Sequence, residues 1–151
     1  MKILIIHGPN LSMLGKRDPV KYGNITMQEI NLQLMKVAKK SFCELDFFQS
    51  NHEGAIIDFL QKESSRKANG VLINPGALVR YGYSLRQALI DFDKPFIEVH
   101  MTDINKTGVN ISVNVLEDIR TGQTSGLREK SYYNALEKLV SHLNKIGNLK
   151  K

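Results

Sequence analysis

Met1–Gly23, MKILIIHGPNLSMLGKRDPVKYG, is the stretch that decides how the chain reads. Its segment Lys2–His7 contains the continuous apolar run Ile3–Ile6, which suits a strand buried on both faces. The run breaks at Gly8-Pro9-Asn10, where glycine and proline interrupt regular structure. A polar loop follows, carrying Lys16, Arg17, Asp18, Lys21 and Tyr22. A phenol flanked by cations is a candidate general base, because nearby positive charge lowers the cost of ionising it.

Working outward, strand-like runs alternate with helix-like ones. Thr26-Met27-Gln28-Glu29 reads as a capping box, and Met27, Ile30, Leu34, Val37 and Ala38 follow at helical spacing. A second strand is expected over Glu44–Gln49. Ser50-Asn51-His52-Glu53 reads as another box, opening a helix with Ile56, Ile57 and Leu60 on one face. Val71–Ile73 is the third strand, Ser84–Phe92 a helix and Phe96–His100 the fourth strand. Ile111–Leu116 alternates like a strand and Arg120–Gly126 is polar and turn-rich, so a fifth strand is expected somewhere in Ile111–Gly126. The last helix presents Tyr132, Tyr133, Leu136, Leu139, Val140, Leu143 and Ile146 on one face, and residues 147–151 read as a frayed basic tail.

This alternation implies parallel strands joined by right-handed crossovers. Five strands predict an α/β, flavodoxin-like three-layer sandwich, and 151 residues predict a single domain, 1–151. Ligands of such sheets bind beyond the carboxyl ends of the strands. Those ends carry Asn10, Asn51, His52, Asn74, Glu98 and His100, and the Lys16–Tyr22 loop follows the first of them.

The net charge of +6, from 21 basic and 15 acidic residues, fits a solvated surface or an anionic small-molecule ligand. There is no run of five like charges and no aromatic–basic RNA pattern, so nucleic acid is not an expected partner. No apolar run reaches membrane length, and one cysteine, Cys43, cannot form an internal disulfide. A cytoplasmic location is expected. The sequence lacks a GxGxxG dinucleotide fingerprint after a strand, a GxxxxGK[ST] phosphate loop and a GxSxG elbow. His7, His52, His100 and His142 lack zinc-type spacing, so no metal is expected.

Glu98 and His100 are two apart on a strand and point to the same side. A carboxylate beside an imidazole fixes its tautomer and suits it to general-acid work. Tyr22 beside Arg17 supplies a base, and Asn10 and Asn74 are neutral donors for a developing oxyanion or a bound carbonyl. An acid and a base with neither nucleophile nor metal point to proton abstraction with elimination.

The motifs HGPNLSMLGKRDPVKYG, QSNHEGAIID, INPGA and PFIEVH, in that order, resemble the type II 3-dehydroquinate dehydratases over Met1 to about Thr102. The resemblance implies a flavodoxin-like enzyme without cofactor or metal, assembled as a trimer-based dodecamer. It implies that Tyr22, on a lid with Arg17, removes the proton next to the ketone of 3-dehydroquinate. Asn10 would hold a water that stabilises the enolate. His100, oriented by Glu98, would protonate the departing hydroxyl, giving 3-dehydroshikimate by anti elimination. Asn74, with Gly76 and Ala77 of the same motif, would contact substrate, and backbone donors around Met101 and Thr102 would hold its carboxylate.

The chain departs from the family at several contact positions. The family's substrate-contacting histidine falls on Arg80, and its aspartate that reaches a neighbouring subunit falls on Gln87. Arg80 is expected to take over part of the binding, and Gln87, fourth in Ser84–Gln87, is a candidate capping residue. The family's His-Ala-Arg segment becomes Asn105-Lys106-Thr107, and a second arginine becomes Ile111. The usual fifth-strand segment is replaced by the polar Arg120–Gly126. These departures keep two alternatives open: a paralogue dehydrating a related cyclic hydroxy-ketone or hydroxy-acid, and a non-catalytic flavodoxin-like binding protein.

Overall fold

The computed structural model describes residues 1–104 and 113–149. Asn105, Lys106, Thr107 and Ile111 lie outside the described residues. Five parallel strands form one sheet in the order β2-β1-β3-β4-β5: β1 Lys2–His7, β2 Glu44–Gln49, β3 Gly70–Asn74, β4 Phe96–Val99 and β5 Gly122–Thr124. This is the flavodoxin-like strand order, with its topological switch point between β1 and β3. In the described residues the helices are α1 Pro19–Tyr22, α2 Met27–Lys40, α3 Glu53–Gln61, α4 Glu63–Arg66, α5 Tyr83–Phe92 and α6 Lys130–Leu149.

The period of two in β1 divides the core. Ile3 and Ile5 pack with Ile30 and Leu34 of α2 and with Tyr132, Leu136 and Leu139 of α6. Leu4 and Ile6 point to the opposite face and pack with Ile56 and Leu60 of α3 and Leu85 and Leu89 of α5. All four β1 residues are fully buried, at roughly 1.5–3 kcal/mol of transfer free energy each, so both layers hold the central strand.

Helix α2 begins as its sequence predicts. The Thr26 hydroxyl accepts from the Glu29 amide at 3.2 Å while Glu29 Oε2 accepts from the Thr26 amide at 2.8 Å. The box expected at Ser50–Glu53 does not form. Ser50 Oγ instead accepts from the His52 amide at 2.9 Å, and the Glu53 carboxylate accepts from the Leu85 amide at 2.9 Å, tying α3 to the start of α5. Helix α5 starts one residue early with Gly82 as its N-cap, which places Ser84 inside the helix and rules out Gln87 as a capping-box partner. Gln87 donates to Asp91 at 2.8 Å on the exposed side of α5. Helix α6 runs through Leu149, so 147–149 are helical rather than frayed.

Residues 115–116 are buried but lie in a turn, not a strand, and the fifth strand is the polar Gly122-Gln123-Thr124. The fifth strand thus lies within the expected Ile111–Gly126 interval, and the polar Arg120–Gly126 segment supplies it. Arg86 of α5 holds the preceding turn: it donates to the Val115 carbonyl at 2.7 Å and pairs with both carboxylate oxygens of Asp118.

Candidate active site

The loops after β1 and β3 meet at the switch point. The Gly8 amide donates to the Asn74 carbonyl at 2.8 Å, and a Cβ on Gly8 would stand 2.8–2.9 Å from the Asn74 and Pro75 backbone. Glycine is required by this contact. Beyond it opens a cavity of about 270 Å³ that Asn10, Arg17, Tyr22, Asn74, Gly76, Ala77, Arg80, His100, Met101 and Thr102 all line. Pro9, Leu11, Val79 and Ile104 line it too. Of the site residues expected from sequence, Glu98 lies behind the cavity wall and Gln87 is not among the lining residues.

The loop from Leu11 to Tyr22 is built locally. Buried Leu11 and Leu14 anchor the loop, and Gly15 turns it at φ +85°. Asp18 then caps α1, accepting from the Val20 amide at 2.9 Å ahead of Pro19 in the first turn. Arg128 Nη2 donates to the Val20 carbonyl at 3.2 Å and tethers this turn to the body. Half-buried Tyr22 accepts a 2.9 Å hydrogen bond from Arg17 Nη2, and the Arg17 guanidinium also stands 3.8 Å over the Tyr22 ring. Asn10, with φ 68°, is held by its amide's 2.9 Å bond to Asn51 Oδ1.

On the sheet edge, His100 Nε2 is 2.6 Å from Glu98 Oε1. A carboxylate acceptor makes Nε2 the donor, which leaves Nδ1 as the ring nitrogen able to gain or lose a proton. Glu98 is fully buried. Burial alone pushes its carboxyl up; hydrogen bonds from His100, Arg120 and Asn114, together with the His100 charge, outweigh this and hold it down at about 2. Gln123 Nε2 adds a 3.0 Å bond. Sequence reasoning missed Asn114, Arg120 and Gln123. The available signal was Glu98 itself, a charge in an apolar strand that requires partners nearby.

A second buried polar chain stands behind Asn74. The Asn74 Oδ1 accepts from the Gly76 amide at 3.2 Å, and the Asn74 side chain lies beside the Tyr132 phenol. The Tyr132 oxygen is 2.9 Å from His7 Nδ1, and His7 Nε2 is 2.8 Å from Asn31 Oδ1. The amide acceptor fixes the direction: Nε2 donates to Asn31, and Tyr132 donates to Nδ1. Burial pushes the Tyr132 phenol up. It lowers the His7 imidazole to about 4, against the pull of its Asn31 bond. Both are neutral near pH 7.

Among the described residues no group of three or more His, Cys, Asp or Glu is placed to hold a metal ion, and no helix is long and apolar enough to cross a membrane.

Residues 1–140 match the family model described as Dehydroquinase class II. The 3-dehydroquinate dehydratase of Roseiflexus castenholzii is 47% identical over 93% of this chain and 88% of its own length. That of Dictyoglomus turgidum is 43% identical over 96% of this chain and 99% of its own. The crystal structure of the type II dehydroquinase from Butyrivibrio crossotus superposes with a TM-score of 0.86 at 38% identity, covering 92% of this chain and 97% of that one. With a family model matched over 140 residues and relatives this similar along nearly the whole chain, the chain belongs to the class II dehydroquinase family.

Proposed function

We propose that this chain is a 3-dehydroquinate dehydratase in which Tyr22 is the base and His100 the acid of an elimination proceeding through an enolate. One observation carries the reading: the Arg17–Tyr22 pair and the Glu98-bound His100 line the same cavity. The Tyr22 phenolate takes the proton next to the ketone, and charge moves onto the carbonyl oxygen. A water held by Asn10 stabilises that enolate. The electrons return to expel the β-hydroxyl, which leaves as water with the proton from His100, giving 3-dehydroshikimate. Asn74, Gly76, Ala77 and Arg80 hold the substrate, with the Met101–Thr102 backbone on its carboxylate. The route uses only side chains, backbone and water.

The relatives of 37–47% identity that carry the name 3-dehydroquinate dehydratase support 3-dehydroquinate itself as substrate. Gln87 lies outside the single-chain cavity, and the reading gives it a place only at a neighbour's site in a trimer-based homo-oligomer. Exposed Tyr81, Tyr83 and Ile90 around α5 support such an assembly. A cytoplasmic location rests on the single unpaired cysteine.

The test is incubation of the purified protein with 3-dehydroquinate, following the enone product by ultraviolet absorbance. Turnover is expected. No turnover where an established dehydroquinase works defeats the proposal.

A further inference from the structure

We propose that Arg120 is a positioning residue for the acid step: it fixes and neutralises the Glu98 carboxylate and so sets how strongly His100 holds the proton it delivers. The inference rests on His100 being the acid of the elimination.

Glu98 accepts four side-chain donors around the end of β4. Oε1 takes His100 Nε2 at 2.6 Å, Asn114 Nδ2 at 2.8 Å and Gln123 Nε2 at 3.0 Å. Oε2 takes Arg120 Nη1 at 2.8 Å. A buried carboxylate facing an imidazole alone would bind the imidazolium tightly and make it a reluctant acid. A guanidinium on the second oxygen offsets that charge while leaving the orienting bond to Nε2 intact. His100 is then aimed by a carboxylate whose field is largely spent on Arg120.

The placement of these groups explains the odd sequence of β5. Gln123 is in register with Glu98, and Arg120 enters just before the strand, on the turn that Arg86 pins to α5. Glu117 lies 3.6 Å from Arg120 Nη2 on the outer, exposed side. Among the described residues the other charged or titratable groups about His100 are Arg17, Tyr22 and Arg80 around the cavity and Asp103 three residues further along the chain. Among the described residues Arg120 is the cation that hydrogen-bonds the Glu98 carboxylate, and it acts on His100 through it.

The experiment compares Arg120→Gln, which keeps a donor for Oε2 but drops the charge, with Arg120→Lys, which keeps the charge. The His100 titration is read by NMR on imidazole-labelled protein without substrate. With four histidines in the chain, the His100 signal is assigned by its loss in His100→Asn. Arg120→Gln is expected to raise the midpoint by about one pH unit, and Arg120→Lys to leave it near wild type. The alkaline limb of kcat should follow the midpoint, with KM unchanged. An unmoved midpoint in Arg120→Gln, or equal shifts in both variants, overturns the proposal. Should Arg120→Gln fail to fold, the pair Arg120→Met with Glu98→Gln removes the buried carboxylate together with its cation. Its His100 midpoint must match that of Glu98→Gln alone, and a further shift overturns action through Glu98. Because the titration needs no turnover, it fails separately from the dehydratase assay.

Discussion

Arg17 meets Tyr22 twice, once through the 2.9 Å bond from Nη2 to the phenol oxygen and once through the guanidinium 3.8 Å over the ring. The two residues are five apart across a tight capped turn, so one short loop carries both the phenol and the cation beside it. Tyr22→Phe keeps the ring and its cation contact and removes only the titrating oxygen. It should lower kcat about 10²- to 10⁴-fold, the range of a general base, with KM little changed. Arg17→Met should also lower kcat, because it removes both the donor to the phenol oxygen and the cation over its ring. Steady-state rates with 3-dehydroquinate across pH decide both.

Glu98 should matter through orientation more than through charge. Glu98→Gln keeps the side chain's size but puts an amide where four donors converge, leaving buried donors unpaired at about 1–3 kcal/mol each. The variant should be both less stable in urea and slower in kcat. His100→Asn should match or exceed the kcat loss while costing less stability. Equal stability losses in the two variants would contradict this division.

What could be read from sequence follows what is local. β1 and β3 announce themselves as apolar runs because both faces of each are covered. The lid residues and the Glu98–His100 pair are legible because strand ends and a period of two are local facts. β5 is hidden because it pairs with β4 alone and spends Gln123 on Glu98 rather than on the core. Tyr132 reads as one more apolar position on α6, yet its hydroxyl joins His7 and Asn74 across 125 and 58 residues of chain. Such roles exist only once the layers have packed.

His7 supplies a prediction about acid stability. Its folded value of about 4 lies below the ordinary 6.5, so between the two the unfolded chain binds more protons than the folded one. Its contribution to stability is complete above about 6.5 and falls away as pH drops toward 4, on the order of 3 kcal/mol in all. Glu98, depressed from 4.5 to about 2, loses its contribution over a lower window, from about 4.5 down through 2. Urea unfolding should therefore weaken in two stages on acidification. His7→Gln should flatten the upper stage and leave the lower one intact; an unchanged slope between pH 6.5 and 4.5 would show that His7 is not its source.

Arg80 lines the cavity from an exposed position at the end of the Gly76–Arg80 turn. Its chain is long and water reaches it, so its bond to substrate should lie near the lower end for a charged hydrogen bond, about 1.4 kcal/mol, or tenfold in affinity. Among the described residues Arg80 makes no hydrogen bond to Arg17, Tyr22, Glu98 or His100, whose own bonds run to one another. Arg80→Met should therefore raise KM for 3-dehydroquinate about tenfold while leaving kcat and both limbs of its pH profile unchanged, because uniform binding is lost and no proton transfer is touched. Arg80→Lys should recover part of the loss, since a point charge replaces a planar fork. A fall in kcat at unchanged KM would instead place Arg80 with the reacting atoms.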